Sequence, residues 1–336
     1  MTASPILLVH DRGGADEAIH RGVVCVVSSS DVVLSRGDVD RATWLRSAAK
    51  PFQAAAALRA GVAETYALSK ADVALLCASH NAEDRHVERA RALLARGGFD
   101  EGDLRCGAHP PISPEVDREL ARRGEAPSPL RNNCSGKHAG MLLLARVLEA
   151  DPARYLDPDG PVQRAAAAAV SAICAPPHAP GEATDGCSAV TFRLPLRALA
   201  TGFRRLADPD SAPGEWAAPL RTARDAMTAH PEMVAGLDRF DTDLMAAGEG
   251  RFVAKIGAEG LIGCGVRDEG LGIAIKIEDG AMRAYPPVLL AVLEHLGLLS
   301  DAERGRLARW RDDDLKNCVG TVVGRRRVVL ADESGG

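Results

Sequence analysis

Aromatic side chains are scarce in this chain: phenylalanine, tryptophan and tyrosine together make up 4% of 336 residues. The core must therefore rest on Ala, Val and Leu, and few rings are available to stack against nucleobases. An excess of positive charge is missing too. Lys and Arg number 41 against 46 Asp and Glu, a net charge of −5, and no basic block sits among aromatics. Nucleic acid is accordingly not an expected partner. The run Arg325-Arg326-Arg327, between Val322-Val323 and Val328-Val329, reads as a solvated hairpin turn. No stretch approaches the roughly 20 apolar residues that span a bilayer, so no membrane partner is expected. The apolar start Ile6-Leu7-Leu8-Val9 is broken at once by His10, Asp11 and Arg12, too short for a secretory signal. A cytoplasmic setting is the expectation. There the eight cysteines are read as core, ligand or nucleophile before half of a disulfide.

What is present is patterned. Gly22 to Val27 and Val32 to Ser35 read as a β-hairpin, and the alanine-rich stretch Ala48 to Ala60 reads as a buried helix. Glu83 to Arg96 has helical spacing and is stopped by Gly97-Gly98. Further helices are expected at Ser135 to Glu149, Pro161 to Cys174, Pro195 to Leu206 and Glu215 to Thr228. Beyond Phe240 the segments Phe252 to Ile256, Leu261 to Val266 and Leu271 to Ile277 read as an antiparallel meander. A helix at Pro287 to Leu296 and a strand pair at Thr321 to Leu330 follow. Strands at both ends with helices between them predict an α+β fold, one antiparallel sheet built from both chain ends with an inserted helical lobe. The expected organisation is a single catalytic domain, with a sheet lobe from about 1–60 and 250–336 and a helical lobe from about 61–249.

Three short motifs occur in an informative order: Ser47-Ala48-Ala49-Lys50, Ser79-His80-Asn81 and Lys255-Ile256-Gly257. Each alone is common. Together they form the S-x-x-K, S-x-N and K-x-G set of serine β-lactamases and penicillin-binding proteins. Pro51 marks the first turn of the helix, so Ser47 and Lys50 share one face as i and i+3. A neutral Lys50 amine could take the Ser47 proton if its pKa fell well below about 10.4. A second lysine nearby would lower it, and Lys255 is the candidate. The plainer alternative makes Ser47 an N-cap, Asn81 the N-cap of the following helix and Lys255 an edge-strand charge.

The other unusual stretch is Arg131-Asn132-Asn133-Cys134-Ser135-Gly136-Lys137-His138-Ala139-Gly140. No glycine precedes Gly136-Lys137 at phosphate-loop spacing, so that reading fails. Cys134, Lys137 and His138 fall on one helical face, compatible with a metal whose further ligand comes from Asp185-Gly186-Cys187. Two buried cysteines and a helix-capping histidine explain the same residues without metal. Gly263-x-Gly265 lacks the third glycine of a dinucleotide fingerprint and is set aside.

On these motifs, with Asp185-Gly186-Cys187-Ser188 and Ala254 to Gly260, the chain resembles the rhizobial-type, class 3, thermolabile L-asparaginases, and does so over almost its whole length. The resemblance implies a fold related to β-lactamases and serine glutaminases, a homodimer, and two Ser-Lys tandems at Ser47/Lys50 and Ser79/Lys255. It also implies zinc held by Cys134, Lys137 and Cys187, close to the serine. The implied chemistry is attack by Ser47 on the amide of L-asparagine, Lys50 accepting its proton, and Ser79 with Lys255 relaying a proton to ammonia. Arg46, His138, Asp185 and Glu259 are candidate partners of the substrate's α-groups by motif adjacency. Ile256 in place of the threonine of K-T-G, and the short separation of Ser47 from Ser79, weaken a β-lactam reading. The rivals are a serine glutaminase, a β-lactamase-like amidase, and a non-catalytic zinc-stabilised binding protein.

Overall fold

The computed structural model describes residues 3–311 and 313–330. Its largest element is an eight-stranded sheet in which every pairing is antiparallel. In spatial order the strands are Asp314–Lys316, Val322–Val328, Ile6–Arg12, Ala15–Val27, Leu271–Ile277, Leu261–Val266 and Phe252–Ile256, with Val32–Arg36 paired beside Ala15–Val27. The N-terminal strands thus sit in the middle and the C-terminal strands at both margins. This is the α+β arrangement, with one sheet from both chain ends, that the strand pattern predicts. Ala15–Val27 serves two sets of neighbours: residues 15–21 pair with Ile6–Arg12, and 22–27 with Leu271–Ile277. Its sequence changes accordingly, from polar and exposed to a continuous buried run, Val23 to Val27.

The helix Leu196–Ala207 lies directly on this sheet, and glycines make that possible. A Cβ at Gly272 would come within 2.0 Å of the Ala200 carbonyl oxygen, and one at Gly265 within 2.3 Å of the Phe203 carbonyl oxygen. At Gly263 it would meet the Phe203 ring at 2.0 Å. The Gly263-x-Gly265 spacing therefore belongs to helix-on-sheet packing, where no side chain fits. The remaining helices run mainly from Lys50 to Ala247, around a small sheet of Ala42–Trp44, Val190–Pro195 and Gly181–Thr184.

The sequence reading needs correction in several places. Arg325-Arg326-Arg327 is no turn. It lies inside the single strand Val322–Val328, which pairs with Ile6–Arg12 on one side and Asp314–Lys316 on the other. The reason is alternation: Arg325 and Arg327 point to solvent, near Asp314 and Asp16, while Arg326 faces inward opposite His10. The expected strand pair at Thr321 to Leu330 is thus one strand whose partner comes earlier. The expected helix from Ala48 begins instead as a 3-10 turn, Arg46–Ala49, and becomes α-helical over Lys50–Arg59. Asn81 caps nothing, because the next helix, Asp84–Arg96, starts after Glu83. Lys70–Leu76, Pro114–Arg123 and Phe240–Ala247 are further helices. No helix among the described residues is long and apolar enough to cross a membrane.

Replacing Gly272 by Ala should destabilise the fold by at least about 2 kcal/mol, since the Ala200 carbonyl oxygen and the Arg204 nitrogen, 2.0 and 2.6 Å from the new Cβ, are constrained backbone. Gly305, exposed in Asp301–Arg306 with nothing within 4 Å of a Cβ, is the control and should be neutral or slightly stabilising as Ala. Thermal melts of both variants check this.

Candidate active site

Close helix packing assembles the site. Lys70–Leu76 is fixed at its start by a reciprocal cap between Ser69 and Asp72, and Asp72 is paired with Arg89 and Arg96. Past Cys77 the chain runs into Ala78 to Asn81, where the Ser79 N–H donates to the Val234 carbonyl at 2.8 Å and the His80 N–H to the Asn133 carbonyl at 3.1 Å. Helix Ser135–Val147 presses on this element through two glycines four residues apart. A Cβ at Gly136 would lie 2.4 Å from the Leu75 carbonyl oxygen, and one at Gly140 would lie 2.7 Å from the Leu76 side chain. Gly136 in the unusual decapeptide is thus a packing residue, and it carries Cys134 and Lys137 toward Ser79. Gly257 acts alike: a Cβ there would come within 2.9 Å of the Leu45 carbonyl oxygen, so the strand bearing Lys255 ends against the turn bearing Ser47.

Lys50 is fully buried, and its amine donates to the Ser79 hydroxyl at 2.8 Å, the Ala78 carbonyl at 2.6 Å and the Cys134 sulfur at 3.1 Å. An ammonium has three donors, and all three are engaged. The structure therefore joins Lys50 to Ser79, across the two tandems that the resemblance implies. Ser47 is half-buried at the turn before the helix. Directly before it Arg46 takes a left-handed conformation, φ 47°, held by its N–H on the Thr191 hydroxyl at 3.2 Å and its guanidinium on Asp185 at 2.5 Å. Among the described residues nine non-glycines have positive φ, and Arg46, Ala82, Ser188 and Glu259 are four of them. Each adjoins or lies within one of the motifs, as expected where strain is retained for a site.

Lys255 has no exposed surface. Its amine donates to the Ile256 carbonyl at 3.0 Å and lies 3.6 Å from the equally buried carboxylate of Asp241. Burial pushes its pKa down to about 7. Asp241 opposes that shift, and Lys50 and Arg239 reinforce it. The Ser79 hydroxyl is bonded to Lys50, and no direct bond joins it to Lys255 among the described residues. Arg239 braces the serine loop instead, donating to Asn81 Oδ1 at 2.8 Å and the Ser79 carbonyl at 3.4 Å. Arg239 and Asp241 belong to no motif, and only their spacing of two around Phe240 could have drawn notice.

Beside Lys50 lies a sulfur–amine cluster. The Lys137 amine donates to Cys187 at 3.0 Å. Hydrogen bonding with the neighbouring sulfur pushes the Cys134 thiol up and holds Cys187 down, and Lys137 also lowers Cys187. Burial lowers Lys137, but the two sulfurs outweigh it and raise the amine overall. Among the described residues no three His, Cys, Asp or Glu side chains converge as a metal site, so a metal here would have to recruit the lysine amine. The donors are the two sulfurs and the Lys137 amine, which offers a lone pair only when neutral. The buried His138 Nε2 makes no hydrogen bond but does not complete a three-residue His/Cys group. Soft sulfur and nitrogen donors in this number suit zinc. The other His138 nitrogen contacts the Tyr155 hydroxyl at 2.7 Å, and burial holds the ring down to about 4, partly offset by Cys187.

The substrate-anchor candidates are only partly brought together. Arg46 and Asp185 form an ion pair. His138 is fully buried on Tyr155. The carboxylate of the exposed Glu259 lies over Gly280.

Because the folded pKa of Lys255 lies below its unfolded value, the unfolded chain binds more protons between about pH 7 and about 10.5, and stability contributed by this residue rises with pH across that window. Against Lys255→Met, the parent should gain roughly a few kcal/mol between about pH 6.5 and about 9.5. Urea unfolding at both pH values measures this, and a constant difference would mean that the amine stays charged.

No curated protein matches the sequence. Among solved structures the chain is similar to a β-lactamase from Mycobacterium bovis, at 15% identity and TM-score 0.41, covering 82% of this chain and 94% of that one. It is also similar to Mglu, at 16% identity and TM-score 0.39, covering 83% and 67% of the two chains. For the D-alanine carboxypeptidase AmpC from Burkholderia cenocepacia the values are 15%, 0.38, 86% and 92%. At these TM-scores the likenesses carry no weight for the chemistry. The family model described as L-asparaginase II matches residues 8–328, so the three motifs, the decapeptide and the Asp185 to Ser188 segment all lie within the match, and the chain belongs to the L-asparaginase II family.

Proposed function

We propose that this protein hydrolyses the side-chain amide of L-asparagine to L-aspartate and ammonia through an acyl-serine. The observation that carries the reading is the buried Lys50 amine, 2.8 Å from Ser79 and one helical turn from the half-exposed Ser47, in a chain of this family. In this proposal the Ser47 oxygen attacks the amide carbon and its proton passes to Lys50 in the neutral state. Ser79, hydrogen-bonded to Lys50, hands a proton to the amide nitrogen, which leaves as ammonia. Water then adds to the ester, the same groups return the proton to Ser47, and L-aspartate departs. Lys255, its buried amine pushed down to about 7, is a second group in the site that can hold or release a proton near neutral pH. The substrate's α-carboxylate and α-ammonium replace the partners in the Arg46–Asp185 pair.

Zinc belongs to the same proposal. Cys134, Lys137 and Cys187 would hold it, and when bound it would supply a fixed positive charge that orients substrate. A homodimer, expected from the resemblance, is part of the reading, as is a cytoplasmic setting in which the eight free cysteines stay reduced. A serine glutaminase is the nearest rival. A β-lactamase-like amidase would not require the free α-groups, and a non-catalytic zinc protein would release no ammonia.

Ser47→Ala should abolish ammonia release while changing stability by less than about 1 kcal/mol. More than a few per cent of parent activity would move the nucleophile to Ser79. Asparagine should exceed glutamine by at least about tenfold in kcat/KM, because one extra methylene in a fitted pocket costs about 1–3 kcal/mol. Equal turnover in a competition assay would favour the glutaminase. Elemental analysis should find close to one zinc per chain, lost when Cys134 and Cys187 are both changed to Ser. Unchanged metal content would place the ligands elsewhere.

A further inference from the structure

A concave site adjoins the serine loop through Arg239. It is a cleft of about 480 Å³ whose lining includes Arg239, Arg283, Arg309 and Arg326, with Phe240 and Trp310 on its walls. No Asp or Glu lines it, although the chain as a whole carries a net charge of −5. Arg309 is paired with Asp238 at 2.5 Å and with Asp243. The other three guanidiniums have no carboxylate partner among the described residues, where many other arginines are ion-paired. Two buried nitrogens at this place also lack hydrogen-bond partners: Arg326 Nε, and Nε2 of His10, which stands opposite Arg326 in the sheet. His10 is 5% exposed, and burial, reinforced by Arg283 and Arg326, holds it down to about 4, so it stays neutral.

We propose that this cleft binds a small organic anion, carboxylate- or phosphate-bearing, between the guanidiniums of Arg239, Arg283 and Arg326 and against the Trp310 ring. Its volume lies within the roughly 300–1,000 Å³ usual for small-molecule sites. Arg283 Nε donates to His20 Nε2 at 3.2 Å, and Arg239 to Asn81 and the Ser79 carbonyl. Guanidinium forks without a carboxylate partner nonetheless match carboxylate and phosphate oxygens bidentately, and the aromatic walls cover an apolar body. The site reaches the serine loop directly. Arg239 braces Asn81 and the Ser79 carbonyl, and Ile256, also on the cleft wall, takes the Lys255 hydrogen bond on its carbonyl. An anion that engages Arg239 therefore competes for the group that holds Ser79 in place, so its binding alters turnover.

The test is titration of the full chain with citrate and, separately, with phenyl phosphate, at low ionic strength. Calorimetry and tryptophan fluorescence give the readouts. The proposal expects saturable binding of at least one probe, one per chain, weakened by salt. Arg283→Gln and Arg326→Gln should each weaken it by about tenfold or more, the loss of a charge-assisted hydrogen bond. Trp310→Phe should remove the fluorescence change, and Arg118→Gln, on an exposed helix elsewhere, should change nothing. The probe that binds names the head group. Should Arg326→Gln fail to fold, the exposed Arg283 decides the matter through Arg283→Gln and Arg283→Glu. No saturation by either probe up to roughly 10 mM, or binding indifferent to the arginine substitutions, would overturn the proposal.

Discussion

Three lysine amines, those of Lys50, Lys137 and Lys255, are buried within one site. Such a concentration of ammonium groups out of water is tolerated only if each is neutral, paired or hydrogen-bonded. The buried carboxylate of Asp241 faces Lys255. Lys137 leans on the Cys187 thiolate, and Lys50 spends its donors on a carbonyl, a hydroxyl and a sulfur. Positive charge is thus in surplus, and through Lys50 it adds to the burial that pushes Lys255 down to about 7. An amine that can be neutral near physiological pH is what the proposed serine chemistry requires.

The fold maintains that surplus by bringing backbone to backbone. Gly136 and Gly140 let one helix lie on another, Gly257 lets the Lys255 strand meet the Ser47 turn, and Gly272 with Gly265 seats Leu196–Ala207 on the sheet. In a core with few aromatic rings, alanine and glycine do the fitting. A larger residue at Gly136, Gly140 or Gly257 would collide with the element beside it and shift the segments that carry the site.

Much of this was legible beforehand. The α+β order of strands and helices, and the segments that converge on the site, followed from hydrophobic period and motif order. Partnership within the site did not follow. Ser47 and Lys50 share a helical face by spacing, yet the amine turns to Ser79, because burial rewards the partner that saturates all three donors. Arg239 and Asp241 were hard to see because their spacing of two at the start of a short helix carries no chemical signature. Arg325 to Arg327 misled because charge suggests a turn, whereas alternating faces let long side chains leave a strand interior for solvent. Glycine at 263 and 265 looked like an incomplete nucleotide motif, and only the helix above the sheet explains it.

The account stands or falls on which oxygen carries the acyl group. Acid quenching during turnover of L-asparagine, followed by proteolysis and mass spectrometry, locates the aspartyl ester. The ester is predicted on the peptide containing Ser47, and absent from it in Lys50→Met. An ester on Ser79, or none under conditions where ammonia is being released, would contradict the mechanism.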